Sequence, residues 1–170
     1  MNLLEEIGTL KNLDIERVEK IDLEIGPVAS TAATIKNPQK GVEGKFSVWF
    51  LAALALAERS ITLDKFTDEK VNDPRLVRLM RKIETRLDPR IGFGARVCIQ
   101  MKDGISHKAF LAKPKGDPEN PLSYEELTRK YRNAAGLVLS EDNVEALIDT
   151  VKHMDSLADI NKMTGLTLKP

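Results

Sequence analysis

The sequence is poor in the residues that build a self-contained active site. Its 170 residues include one cysteine, Cys98, and two histidines, His107 and His153. A single cysteine excludes an internal disulfide and fits a reducing compartment. Neither histidine has a second His or Cys at metal-ligand spacing, so no zinc site and no other metal or cofactor is expected. No Ser or Cys stands in a pattern that marks an activated nucleophile, and no residue is assigned a catalytic role. Charge of one sign is not in excess: Lys plus Arg and Asp plus Glu number 26 each. With no basic surplus to neutralise phosphates, a nucleic-acid partner is not expected. Long hydrophobic runs are missing too. The most apolar stretch, Phe46–Ala57, is 12 residues, whereas a membrane span needs about 20. It reads as a buried helix, and no membrane association is expected. The N-terminal "MNLLEEIGTLKN" has two acids and no basic region before its apolar residues, unlike a signal peptide. A cytoplasmic location is the expectation.

What is present has the balance of a soluble globular protein, 42% hydrophobic and 31% charged. The length suits one domain with a real core. Residues 2–11 read as a short helix with Leu3, Leu4, Ile7 and Leu10 on one side. Ile21, Leu23 and Ile25 alternate with Lys20, Asp22 and Glu24, a half-buried strand that Gly26 and Pro27 end. The segment "KFSVWFLAALALA", Lys45–Ala57, is apolar all round beyond Lys45 and Ser47. Such a helix must be covered by its own chain or by a partner. Asp73 and Pro74 open a further helix, with Leu76, Val77, Leu79, Met80 and Ile83 along one face.

"IETRLD" reads as a short strand. "ARVCIQM" and "ISHKAFLA" read as a hairpin joined at Asp103-Gly104, a two-residue turn signal. Ser123 and Glu126 form a capping box for a helix whose apolar face is Leu127, Tyr131, Ala134, Ala135 and Val138. Ser140 caps another, with Val144, Leu147, Ile148 and Val151 inward. A short helix near Leu157–Ile160 and a frayed tail after Thr164 complete the reading. The expected fold is α+β: a small antiparallel sheet of three to four strands with helices packed on one face. Residues 1–170 form a single domain, with 123–163 a C-terminal helical segment.

Two stretches that invite a binding reading favour a simpler one. "GFGARV", Gly92–Val97, runs into a strand rather than out of a strand into a helix, so it is a turn rather than a phosphate cradle. "DPRLVRLMRKIETR" holds five cations and reads as a solvated face. Lys45 and Ser47 leave two readings open. At a helix start, unpaired N–H groups, the dipole and both side chains can hold a carboxylate together. Equally, Ser47 caps the helix and Lys45 extends to water.

Three ordered motifs carry a family resemblance: "GKFSVWFLAALAL", "LDKFTDEKVNDPRLVRLMRKIE" and "AKPKGDPENPLSYEELTRKYRNAAG". They resemble, in that order, the C-terminal part of the MmgE/PrpD family, over about residues 10–155. The resemblance implies the α+β lid domain of a cofactor-independent lyase. The family includes 2-methylcitrate dehydratase, cis-aconitate decarboxylase and iminodisuccinate epimerase, and 2-methylcitrate dehydration is the first expectation here. Small di- or tricarboxylates are the expected ligands, and homodimers are common in the family. Lys45, Ser47 and Phe50 are the implied substrate-binding residues, at the edge of a cleft beneath a helical domain. Some members carry a tyrosine at the position of Phe50, and Phe50 cannot donate a hydrogen bond. The family's proton-moving residues lie mainly in that helical domain, on another chain or outside this sequence. The chain is therefore expected to be inactive alone. An isomerase or decarboxylase, or a non-catalytic oligomeric binding module, are the alternatives.

Overall fold

The computed structural model describes residues 13–168. The helix expected over residues 2–11 lies outside them. Strand β1, Val18–Ile25, forms where the alternation predicts it, with Ile21, Leu23 and Ile25 buried. A register shift between Val18 and Lys20 turns Val18 to the core side as well. Five helices then follow before the next strand: α1 (Pro27–Ala32), α2 (Gly41–Gly44), α3 (Val48–Glu58), α4 (Asp68–Val71) and α5 (Pro74–Met80). Pro27 and Pro74 open α1 and α5, where a missing N–H and a fixed φ do no harm. The strands β2 (Ile83–Leu87), β3 (Ala95–Met101) and β4 (Ser106–Leu111) come next.

The four strands form one sheet in the order β2-β1-β3-β4. β1 pairs antiparallel with β3, and β3 with β4, as expected. The β1–β2 pair is parallel, with Ile21 opposite Ile83 and Ile25 opposite Leu87. The fold class is α+β, but the sheet is mixed rather than wholly antiparallel. The reason is the long connection through α1–α5, which carries the chain back to the starting end of β1. A parallel pair needs a crossover of that kind. The hairpin also differs in detail from the two-residue turn. Gly104 has φ 85° and Asp103 does not share the left-handed region, while Met101 N–H reaches the Ile105 carbonyl at 2.8 Å. One left-handed glycine after a turn fits a longer loop with a bulge, whereas a type I′ turn needs two such residues.

One sheet face is apolar. Ile21, Leu23, Ile25, Ile83, Val97, Ile99 and Met101 pack against Phe50, Ala53, Leu54 and Leu56 of α3 and Leu76, Leu79 and Met80 of α5. The chain itself thus folds around the most apolar helix, the first of the two ways of covering it. The other sheet face is polar. Lys20 Nζ bridges Asp22 at 3.0 Å and Glu84 at 2.9 Å, and Arg96 pairs with Glu24 while lying 5.1 Å over the Phe110 ring. Such alternation is ordinary for a sheet with one wet side.

The chain divides into two compact units, one of residues up to Ile61 with Lys65–Pro121, the other of Thr62–Asp64 with the residues from Leu122 onward. The second contains α6 (Tyr124–Ala135), α7 (Glu141–Lys152) and α8 (Asn161–Leu166). Both serine caps form: Ser123 and Glu126 exchange bonds at 3.1 and 2.8 Å, and Ser140 Oγ accepts from Asn143 N–H at 3.3 Å. Arg132 grips Glu145 through two bonds of 2.5 and 2.8 Å, and Asn143 Nδ2 donates to the Leu166 carbonyl at 3.2 Å. The apolar faces are less buried than their periodicity suggests. Thr128, Val144 and Leu147 are buried, but Leu127, Val138 and Val151 are each more than half exposed. Three helices have too little apolar partner surface to cover every stripe. The last helix begins at Asn161, later than the expected Leu157–Ile160 turn.

Candidate functional site at the start of helix α3

The segment that leads into α3 is held firmly from several sides. The Glu43 carboxylate accepts the N–H groups of Gln39 at 2.7 Å and Lys40 at 3.1 Å. These bonds hold its pKa below the ordinary carboxylate value. Gly41 N–H donates to Asp68 Oδ1 at 2.7 Å, and Asn72 Nδ2 to the Gln39 carbonyl at 3.0 Å, tying α2 to α4. The close approach at Gly41 leaves no room for a side chain, since a Cβ there would stand 2.1 Å from the Phe66 carbonyl oxygen. Val48 N–H donates to the Ala33 carbonyl at 3.2 Å, and Ile35 N–H to the Phe46 carbonyl at 3.0 Å.

On this frame the three residues singled out from the sequence take different places. Ser47 is fully buried and caps α3, its Oγ accepting the Phe50 N–H at 3.1 Å. Lys45 is exposed, with Nζ 5.7 Å from the centre of the Phe66 ring. Phe50 is fully buried and meets the same ring edge-on, with centroids 6.0 Å apart. Phe66 therefore joins Lys45 to Phe50. Nothing in the spacing of "DKFTDE" marks this role, since the stretch reads as a connector.

At the far end of α3, Glu58 receives Lys65 at 2.7 Å and Lys70 at 2.5 Å. Burial pushes its pKa up, but the two ammonium groups outweigh that and hold it below the ordinary value. The cations here secure a structural carboxylate. The histidines lie elsewhere: His107 half-buried on β4, His153 exposed at the C-terminal cap of α7 with Nδ1 3.3 Å from Asp149. Among the described residues, no group of three His, Cys, Asp or Glu is placed to hold a metal ion. No helix among them is long and apolar enough to cross a membrane. What the α3 start offers chemically is a cation on a rigid loop beside the positive end of an 11-residue helix. It can hold an anion, while the nearby Glu43 and Asp68 carboxylates are engaged by backbone N–H groups.

The profile of the MmgE/PrpD C-terminal domain matches residues 1–156. The chain belongs to the MmgE/PrpD family. Within it, the chain is similar to the cis-aconitate decarboxylase of Mus musculus, 29% identical over 160 residues, which cover 91% of this chain and 32% of that protein. The human cis-aconitate decarboxylase is 31% identical over 133 residues, covering 75% of this chain and 28% of the relative. The Aspergillus terreus enzyme of the same name is 30% identical over 139 residues, covering 77% and 28%. This MmgE/PrpD chain thus spans about a third of the length of the curated relatives it matches.

Proposed function

We propose that the chain serves as the C-terminal part of an MmgE/PrpD lyase acting on a small tricarboxylate, with cis-aconitate decarboxylation the favoured reaction. The observation that carries this is that the named relatives are cis-aconitate decarboxylases. They favour loss of carbon dioxide over the dehydration of 2-methylcitrate. In such a decarboxylation the bond to one carboxyl carbon breaks, carbon dioxide leaves, and the electron pair stays on the substrate until a proton arrives. The site must therefore anchor the remaining carboxylates, stabilise the developing negative charge and deliver a proton.

Lys45 and the start of α3 suit the first of these tasks. In this reading Ser47 contributes by fixing the helix start, and Phe50 by fixing the Phe66 ring beside which Lys45 lies. The proton carrier comes from a helical MmgE/PrpD portion beyond the matched third of the relatives' length, and the chain turns over substrate only in its company. Affinity purification of the chain from its native host, followed by mass spectrometry, is expected to identify a polypeptide with that helical portion. Adding it back is expected to give carbon dioxide from cis-aconitate and no loss of water from 2-methylcitrate. Recovery of the chain as a homo-oligomer alone, unable to bind small tricarboxylates, overturns the proposal in favour of a non-catalytic module.

A further inference from the structure

The cations of the α5 segment do not simply face water. Arg75, Arg78 and Lys82 recur at spacings of three and four residues, which places them along one side of α5 and the turn after it. The fold brings a fourth cation to them from the far end of β3. Lys102 N–H donates to the Arg17 carbonyl at 2.9 Å, which sets Lys102 beside the start of β1. Together these four line a cleft of about 190 Å³, with Ile15, Glu16 and Leu79 completing the lining. Four cations face one carboxylate in a protein whose total charge is zero. None of Lys45, Ser47 or Phe50 lines this cleft.

The four are incompletely neutralised. Arg75 has Asp73 at 3.2 Å. Arg78 meets Glu16 only at 3.6 Å, beyond good hydrogen-bond length, and both side chains are more than half exposed. Lys82 Nζ donates to the Val18 carbonyl, which leaves its charge uncompensated. The Lys102 ammonium has no hydrogen-bond or ion-pair partner among the described residues. We infer that this cleft binds a phosphate-bearing anion, with Arg78, Lys82 and Lys102 as its principal contacts and Glu16 as a gatekeeping competitor. A phosphate concentrates up to two charges and three acceptor oxygens on one centre, which matches several converging cations better than a singly charged carboxylate does. The cleft is smaller than the roughly 300–1,000 Å³ that holds a drug-sized ligand, so it takes a free phosphate or the phosphate end of a larger molecule. The inference is independent of the proposed lyase function.

The test is isothermal titration calorimetry of the whole chain with inorganic pyrophosphate, ADP and citrate at low ionic strength. One saturable site for pyrophosphate is expected, weakening with added salt. The double substitution R78Q/K102Q is expected to weaken it by about tenfold or more. Glu16→Gln is expected to tighten it by about two- to fivefold, the range an exposed ion pair represents. Lys108→Gln, on an exposed position of β4, is expected to change nothing. Thermal melts check that each variant folds, and the exposure of Arg78 and Glu16 favours this. Equal or tighter binding of ADP assigns the cleft to the phosphate end of a nucleotide, weaker binding to a free phosphate. Absence of saturable binding, indifference to R78Q/K102Q and E16Q, or tighter binding of citrate than of pyrophosphate overturns the inference.

Discussion

At the scale of single residues, the start of α3 separates side chains that hold the fold from the one that can meet a ligand. Lys45 lies against a ring at 5.7 Å and is exposed, so its contact contributes no more than about 1 kcal/mol. Lys45→Ala should leave the thermal midpoint nearly unchanged. In the reconstituted enzyme it should weaken tricarboxylate binding, read by calorimetry or as a raised KM. A large fall in the melting temperature with unchanged binding would mark Lys45 as structural. Phe50 is the opposite case. Its position is fully buried, so Phe50→Tyr adds a hydroxyl that needs a partner inside the core. Urea denaturation should show a loss of about 1–3 kcal/mol. Asp88 offers a pH test. Two side-chain bonds and a backbone bond from Arg90 lower its pKa from 3.8 to about 2. A carboxyl depressed in the folded state stabilises it above the unfolded pKa and loses that contribution as pH falls through the folded one. The urea midpoint of the wild-type chain should therefore fall more steeply between about pH 4 and 2 than that of Asp88→Asn.

At the scale of elements, caps and alternation were legible in the sequence while pairing partners were not. Ser47, Ser123 with Glu126, and Ser140 all cap the helices their positions predict, because an N-cap is a local bond. Removing the one at Ser47 should destabilise the chain by about 0.5–2 kcal/mol, measured by denaturant melts of Ser47→Ala. The inward face of β1 was legible for the same local reason. The parallel β1–β2 pair was not, since register across a long crossover depends on contacts between residues far apart in sequence. Helix periodicity identified the stripe of Leu127, Tyr131 and Val138 but could not say whether anything covers it, and much of it is exposed. For the α3 start, Lys45, Ser47 and Phe50 could be named from a motif. The ring of Phe66 that links two of them could not, because the link is made by packing and leaves no spacing signature. The basic cleft was hidden in the same way: three of its cations stand on one segment, and only the fold delivers Lys102.

At the scale of the whole molecule, this MmgE/PrpD chain is a mixed sheet with a wrapped apolar helix, followed by a small helical unit, and it covers about a third of the length of its decarboxylase relatives. Its α3 start can anchor an anion, and the carboxylates described beside it, Glu43 and Asp68, are engaged by backbone N–H groups. The division of labour we propose is that this polypeptide holds the substrate's carboxylates, and the group that moves the proton is supplied from outside it. The most direct measurement is carbon dioxide release from cis-aconitate by the purified 170-residue chain with no other polypeptide present. The account predicts a rate indistinguishable from buffer. Sustained turnover at an enzyme-like rate, on the order of 1 per second or faster, would contradict it.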